Sequence, residues 1–152
     1  MASDSFQNTV AYLVHEVTRL LDREFDQRML PLGLTRAQWW VLASLYFEDG
    51  VMQTELARDL GFSKVALGGL LDRLEAKGWV ERRPHPADRR ANLVYRTAKV
   101  ESLLATMKEV AEGINHDFIA ALTPQEHKQL VTSLQTLKAS LAAHQADRSG
   151  GT

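Results

Sequence analysis

The stretch LARDLGFSKVALGGLLDRLEAKG, residues 56–78, contains two helix signals joined by a short turn. The first, short helix ends at Gly61, because glycine suits the left-handed conformation that stops a helix. The Ser63 hydroxyl can cap a second helix, which Gly78 terminates. Leucines at the i, i+3, i+4, i+7 spacing give this helix one buried face: Leu67, Leu70, Leu71 and Leu74. A short helix, a glycine-containing turn and a second amphipathic helix predict a helix-turn-helix.

A basic β-hairpin follows this unit. WVERR at residues 79–83 predicts one strand, and LVYR at residues 93–96 predicts the returning strand. The loop between them is polar and bears Arg89 and Arg90 at its tip. In a winged helix-turn-helix the second helix enters the major groove, while wing arginines reach phosphates or the narrow minor groove. We therefore expect double-stranded DNA as the partner.

Three long helices flank this lobe. An apolar stripe from Phe6 to about Leu30 predicts the first, a second starts at Thr97, and Pro124 at the N1 position starts the last. A lone chain offers these stripes little to cover them, so we expect them to pack against each other or against a second copy. The predicted fold is mainly α with a small β-hairpin wing (an α/β winged helix-turn-helix), in a homodimer held by its N- and C-terminal helices.

The predicted organisation has four parts. Residues 1–33 form an N-terminal dimerisation helix, residues 34–96 a winged helix-turn-helix lobe, residues 97–145 the C-terminal dimerisation helices, and residues 146–152 a disordered tail. The lobe opens with a Thr-x-x-Gln capping box, which starts a helix through about Tyr46.

Composition excludes several classes of protein. The 152 residues include 18 Lys+Arg, 19 Asp+Glu and no cysteine. The lack of cysteine excludes a disulfide framework, a Cys-ligated zinc, a thiol nucleophile and a cysteine redox sensor. Apolar runs fall far short of the ~20 residues that span a bilayer, and the N-terminus has no secretory signal. We expect a cytoplasmic protein with no membrane partner.

The charge distribution and the histidines add little evidence about the function. Between Val51 and Arg96, nine basic and six acidic residues give +3, which favours contact with a polyanion but also fits a randomly uneven surface. The five histidines lack HxxxH or HExxH spacing, and no glycine-rich phosphate loop or Ser/His/Asp set rises above chance. We therefore predict no catalytic residue, no metal site, no cofactor and no enzymatic activity.

The segment from Leu34 to Leu104 resembles a known family. Its motifs LTRAQWWVLASL, QTELARDLG, LLDRLEAKGWVERR and DRRANLVYRT are similar to those of the MarR family of winged-helix transcriptional regulators, of the SlyA-like kind. The resemblance implies a homodimer that binds a pseudo-palindromic operator, with recognition helices about one DNA turn, ~34 Å, apart. It also implies a repressor released by a small aromatic or phenolic anionic effector, such as an aromatic acid or its thioester.

The predicted DNA contacts lie on the second helix of the motif and on the wing. The resemblance implies that Asp88 braces the wing Arg90, although a solvated salt bridge is the alternative. Successive side chains of a strand point to opposite faces, so only one of Arg82 and Arg83 can face DNA. The sequence favours neither, and Arg83 is included in the predicted set. Arg73 is equally able to pair with neighbouring acids. The predicted DNA-binding set is Ser63, Lys64, Ala66, Arg73, Arg83, Asp88, Arg89 and Arg90.

The sequence departs from the family pattern in two places, at the Gly68–Gly69 pair and at Arg96. Gly68 and Gly69 stand where relatives usually carry larger groove-facing side chains, and two glycines inside a helix cost roughly 2 kcal/mol relative to alanine. We therefore expect more reliance on the wings and on DNA shape than on side-chain contacts with bases. Arg96 stands where the family often has an apolar residue, and it is either a phosphate contact or a residue at the strand edge.

A second set of residues is predicted to line an effector pocket. The resemblance implies a pocket between the first, second and fifth helices, near the dimer interface. Adjacent tryptophans point about 100° apart on a helix, so one of them is expected in the core and the other in the pocket. The equal alternative is a core tryptophan beside surface arginines. The predicted effector-binding set is His15, Arg19, Arg23, Trp39 and Trp40.

Two other functions compete with the ligand-responsive repressor. The first is a ligand-independent regulator or counter-silencer, which binds DNA without an effector. The second is a winged-helix module for protein–protein interaction, favoured by the Gly68–Gly69 pair and by the net charge of −1. A steep fall of DNA affinity with salt would exclude that module, because the slope counts released counterions.

Overall fold

The computed structural model describes residues 6–149 and divides the chain into two compact units, residues 1–114 and residues 115–152. The α-helices are α1 (Val10–Met29), α2 (Arg36–Phe47), α3 (Gln53–Asp59), α4 (Lys64–Ala76), α5 (Glu101–Ile119) and α6 (Pro124–Ser149). The strands are β1 (Val51–Met52), β2 (Val80–Pro84) and β3 (Asn92–Arg96), with 3₁₀ turns at Leu30–Leu32 and Ala98–Val100. The predicted fold class, mainly α with a small β-hairpin wing, is confirmed.

Local signals account for the helix boundaries of the lobe. The Thr35 hydroxyl accepts the Gln38 backbone N–H at 3.2 Å, and the Gln38 side chain accepts the Thr35 N–H at 3.2 Å, which completes the capping box of α2. The Ser63 hydroxyl accepts the Ala66 N–H at 3.1 Å and caps α4. Gly61 and Gly78 have φ of 69° and 71°, so each follows its helix in the left-handed conformation.

The sheet is antiparallel, with β3 between β1 and β2. β2 and β3 form the predicted hairpin, in which Val80 lies opposite Arg96 and Pro84 opposite Asn92. β1, which the sequence analysis missed, pairs Val51 with Val94. Two residues are too few to show an alternation of apolar and polar side chains.

The core lies beneath α4. The four predicted leucines of α4 are buried, and they join buried side chains of α2, β2, β3 and α5 in one cluster. The members from those other elements include Val41, Leu42, Leu45, Val80, Val94 and Leu104. The leucine face of α4 therefore fixes the helix on the lobe and leaves its opposite face for solvent or a partner.

The terminal helices differ from the predicted bounds. Thr9 caps α1, so this helix starts at Val10 rather than at Phe6. The last helix, α6, continues to Ser149, beyond the residue at which we predicted the tail to begin, and residues 150–152 lie outside the described residues. Side chains of α6 from 124 to 148 are exposed except that of His127, which is half-buried.

Replacing Gly50 with alanine should lower the free energy of unfolding by about 2–5 kcal/mol. Gly50 has φ 74°, and an added Cβ would lie 2.6 Å from Cε1 of Tyr95. The left-handed conformation costs a non-glycine residue about 1–2 kcal/mol, and displacing the ring adds about 1–3 kcal/mol of overpacking. Urea denaturation measures the change.

Gly61→Ala is the matched control, because Gly61 has φ 69° but no atom within 4 Å of an added Cβ. We expect this variant to lose only the conformational part, about 1–2 kcal/mol. Equal losses in the two variants would contradict the role of the Tyr95 contact.

Candidate nucleic-acid interface

The first turn of α4 is the exposed end of the helix-turn-helix. Ser63, Lys64 and Ala66 are all exposed there, as is Val65. The N-terminus of α4 contributes the partial positive charge of a helix start, beside the ammonium group of Lys64. This turn is therefore suited to contact an anionic group, and the leucines beneath it keep it rigid.

The wing loop is organised by Asp88. Its backbone carbonyl accepts the Ala91 N–H at 3.0 Å, and its carboxylate accepts the Arg90 backbone N–H at 2.9 Å. The His85 N–H also donates to the Ala91 carbonyl at 2.9 Å and closes the loop. Asp88 thus braces the backbone of Arg90. Within residues 6–149 neither Arg89 nor Arg90 forms a salt bridge, and both side chains are exposed.

Arg82 and Arg83 have different environments. The Arg82 side chain is only 26% exposed and forms salt bridges with Asp72 and Glu75 of α4. Its backbone N–H also donates to Glu75 at 2.8 Å. Hydrogen bonds from Arg82 lower the pKa of Glu75, and those to Glu75 raise the pKa of Arg82. Arg82 therefore joins β2 to α4, whereas Arg83 is exposed, pairs with Glu81 and lies 4.3 Å from the ring centroid of Tyr95.

This network also determines the environment of Arg73. Because Asp72 and Glu75 both pair with Arg82, the neighbours that the sequence analysis considered for Arg73 are engaged elsewhere. In the part of the chain that the structure describes, Arg73 has no salt bridge, and its side chain is exposed. One guanidinium nitrogen lies 3.9 Å from the position of a Cβ added to Gly69, so the side chain folds back along α4.

A shallow cleft brings α4 and the wing together. Lys64 and Arg90, distant in sequence, both line it, and its volume is about 150 Å³. The other lining residues are Gln53, Thr54, Ala91 and Asn92. Sequence reasoning missed these four, because single residues at the start of a helix or next to the start of a strand have no periodic signal. Gln53 Oε1 is buried and has no hydrogen-bond partner among the described residues.

Arg96 lies at the end of β3 and is engaged within the lobe. Its backbone N–H donates to the Asp49 carboxylate at 2.9 Å, and its guanidinium lies 3.4 Å from the Glu101 carboxylate. The guanidinium also lies 5.8 Å from the ring centroid of Tyr46. These contacts connect the wing strand to the end of α2 and to the start of α5.

A separate apolar cavity of about 350 Å³ lies between α1, α2 and α5. Trp39 is buried, whereas Trp40 is 48% exposed, and both line the cavity. Phe25 of α1 packs edge-on against Trp39 and stacks on Trp40, with centroid distances of 5.4 Å and 6.3 Å. The remaining lining residues are Ala43, Tyr46, Phe47, Leu104, Met107, Lys108, Ala111 and Glu112.

Three predicted effector-binding residues do not line this cavity. His15, Arg19 and Arg23 lie on α1, and Arg19 forms a salt bridge with Glu16 at 2.8 Å. Lys108 is the positively charged residue of the lining, and it lies 3.8 Å from Glu112. The sequence offered no signal for Lys108, because a lysine on the polar side of an amphipathic helix is ordinary.

Within residues 6–149, His, Asp and Glu side chains form no cluster of three or more that could hold a metal ion. Over the same residues, no helix combines the length and apolarity needed to span a membrane.

Comparisons with known proteins agree with this geometry. Residues 32–91, from the end of the 3₁₀ turn before α2 through the wing loop, match the model of the MarR family. The crystal structure of wild-type apo MarR from E. coli is similar at 31% identity and a TM-score of 0.75, covering 85% of this chain and 96% of that one. A structure of mutant E. coli MarR complexed with operator DNA is similar at 31% identity and a TM-score of 0.76, covering 84% and 92%.

A MarR transcriptional regulator from Methanosarcina mazei Go1 has the same fold, with a TM-score of 0.82 at 22% identity, covering 88% of this chain and 96% of that one. The E. coli protein is matched over nearly its full length, and the family model covers the helix-turn-helix and most of the wing. The chain belongs to the MarR family of winged-helix transcriptional regulators.

Proposed function

We propose that this protein is a dimeric, cytoplasmic DNA-binding regulator that represses transcription from a pseudo-palindromic operator. MarR family proteins are transcription regulators and not enzymes, and the E. coli relative binds operator DNA. The observation that supports DNA binding best is the cleft that Lys64 and Arg90 both line, since neither forms a salt bridge among the described residues. Cations left unpaired on two adjacent elements suit a polyphosphate backbone.

In this proposal α4 enters the major groove and the wing contacts the adjacent backbone or minor groove. Lys64, Arg73, Arg89 and Arg90 supply the charges, Ser63 and Ala66 line the first turn of α4, and Asp88 holds the wing loop. Arg83 stays in the predicted set, because Arg82 is engaged by Asp72 and Glu75. The salt bridges of Arg82 support this choice.

Exposed apolar side chains support a homodimer. On α1 they are Val10, Leu13, Val14, Val17 and Leu20, and on α6 they are Leu130, Val131, Leu134, Leu137 and Leu141. Exposed apolar stripes of this kind mark interaction surfaces, and a two-fold dimer positions two lobes on two half-sites. Sedimentation equilibrium should give twice the mass of the 17.0 kDa chain; a monomeric mass would contradict this part of the proposal.

The aromatic cavity supports a small aromatic effector with a negative charge. Its walls, Phe25 and Trp40 among them, can stack on an aromatic ring, and Lys108 can attract a carboxylate. A ligand that favours another separation of the two lobes releases DNA, because both recognition helices must fit the half-sites at once. His15, Arg19 and Arg23 remain candidates for contact with a ligand that extends beyond the cavity.

Selection of genomic fragments with the purified protein tests DNA binding. We expect a two-fold-symmetric site to be enriched at moderate salt, and its affinity to fall steeply as salt rises, because phosphate contacts release counterions. Failure to enrich a symmetric site, or an affinity that does not change with salt, would contradict the proposal. Either result would instead favour a winged-helix module for protein–protein interaction.

A library of aromatic carboxylates tests the effector. A specific ligand at 100 times its Kd should stabilise the protein by about 2.7 kcal/mol, seen as a rise in Tm. Trp40→Ala should abolish this ligand-induced rise, whereas Trp79→Ala should keep it, because Trp79 does not line the cavity. Each rise is measured from the variant's own Tm. If no carboxylate stabilises the wild-type protein, the ligand-independent regulator replaces the ligand-responsive one.

A further inference from the structure

The outward face of α4 bears an unusual set of side chains for a helix that contacts DNA. The row opposite the buried leucines follows the i, i+4, i+7 spacing through Val65, Gly69 and Asp72. Val65 is 86% exposed, although it is a large apolar residue in the first turn. In its first two turns this row therefore offers methyl groups and backbone but no hydrogen-bonding side chain.

The fold does not require glycine at these positions. Gly68 and Gly69 are helical, and neither has a positive φ. A Cβ on Gly69 would lie 3.9 Å from Arg73, and a Cβ on Gly68 would lie 4.0 Å from Gln53. Both are ordinary van der Waals distances, and alanine is the better helix former. The gain from glycine therefore lies outside the folded chain, where a partner approaches the helix.

We propose that Val65 is a specificity-determining residue that contacts the 5-methyl group of a thymine in each operator half-site. This inference rests on the proposed function, in which α4 enters the major groove. The thymine methyl is the apolar group that standard base pairs present in that groove, and an exposed valine matches it. Gly69, one turn further along the same row, has no side chain of its own. It lets the helix lie close enough for this contact once the Arg73 guanidinium, which lies 3.9 Å from the position of a Gly69 Cβ, turns to a flanking phosphate, as Lys64 does.

The experiment takes the symmetric site recovered by fragment selection and replaces its thymines with deoxyuridine, which lacks only the methyl group. One thymine position is replaced at a time, first in one half-site and then in both. Loss of one buried methyl should lower affinity about fourfold, and loss in both half-sites about fifteenfold. Val65→Ala should bind the thymine and deoxyuridine sites equally. Lys64→Ala is the matched control: it should weaken binding to both sites and keep their ratio, because a phosphate contact does not sense the methyl group.

Gly69→Ala tests the close approach. It should raise Tm, because alanine favours the helix, and lower operator affinity, because a methyl group then lies between the helix and the groove. An affinity equal to that of the wild type would overturn the role of Gly69. Equal wild-type affinity for the thymine and deoxyuridine sites, or discrimination retained in Val65→Ala, would overturn the role of Val65. Failure to select any symmetric site would contradict the proposed function itself.

Discussion

Replacing Arg89 and Arg90 together with alanine should lower operator affinity about a thousandfold at moderate salt. A dimer then loses four guanidinium groups, and each charged contact contributes about 1 kcal/mol, so the total is ~4 kcal/mol. Both side chains are exposed and form no salt bridge within residues 6–149, so the free protein does not use their charges elsewhere. Fluorescence anisotropy at several salt concentrations measures the effect.

The salt dependence separates charge contacts from other causes. Removing four phosphate contacts should reduce the slope of log K against log salt by about 3.6, since each contributes ~0.9. The matched control is the double variant Lys128→Ala with Lys138→Ala. It removes the same number of positive charges from exposed positions on α6, outside the predicted DNA-binding set. A loss of less than tenfold in the wing variant, or the same loss in the control, would contradict the assignment of the wing.

The wing substitution should leave the fold intact. Arg89 and Arg90 lie in an exposed loop whose backbone is held by Asp88 and Ala91, so alanine removes no buried contact. We expect the free energy of unfolding to change by no more than about 0.5 kcal/mol. Urea denaturation of the same preparation therefore shows whether reduced affinity reflects lost contacts or lost structure.

Leu71→Ala should lower the free energy of unfolding by about 3 kcal/mol, within the 2–5 kcal/mol typical of buried leucines. The Leu71 side chain is 0% exposed and belongs to the core cluster that holds α4 on the lobe. The substitution removes buried methyl groups and leaves a cavity that the neighbouring elements fill only in part. Urea denaturation at one fixed protein concentration measures the change, because subunit association also affects apparent stability.

Val65→Ala on the same helix is the control for this substitution. Val65 lies on the opposite, exposed face, so we expect a change of about 0.5 kcal/mol or less. A loss below about 1 kcal/mol for Leu71→Ala would contradict the orientation of α4, because replacing a buried leucine with alanine typically lowers the free energy of unfolding by about 2–5 kcal/mol. That orientation also determines which side chains α4 presents to DNA.

The sequence alone determined the elements whose signals are local. Thr35 with Gln38 and Ser63 cap helices through hydrogen bonds within three residues, and Gly61 stops α3 through its own backbone conformation. The leucine spacing of α4 predicted the buried face correctly, because a helix repeats its faces regardless of what packs on them. The family motifs lie in the same segment, so fold class and family were available from the sequence.

Tertiary structure decided what depends on residues far apart in the chain. Arg82 and Arg83 have different environments because Asp72 and Glu75 of α4 form salt bridges with Arg82. The cleft between α4 and the wing forms because Lys64 and Arg90, distant in sequence, both line it. β1 likewise exists because β3 pairs with it. The burial of Trp39 and the exposure of Trp40 follow from the packing of α1 on α2. The helical period shows that two adjacent side chains point in different directions, but it does not determine which of them faces the core. Local hydrogen bonds and periodicity are encoded within a few residues, whereas salt bridges, clefts and cavities arise only when distant elements meet.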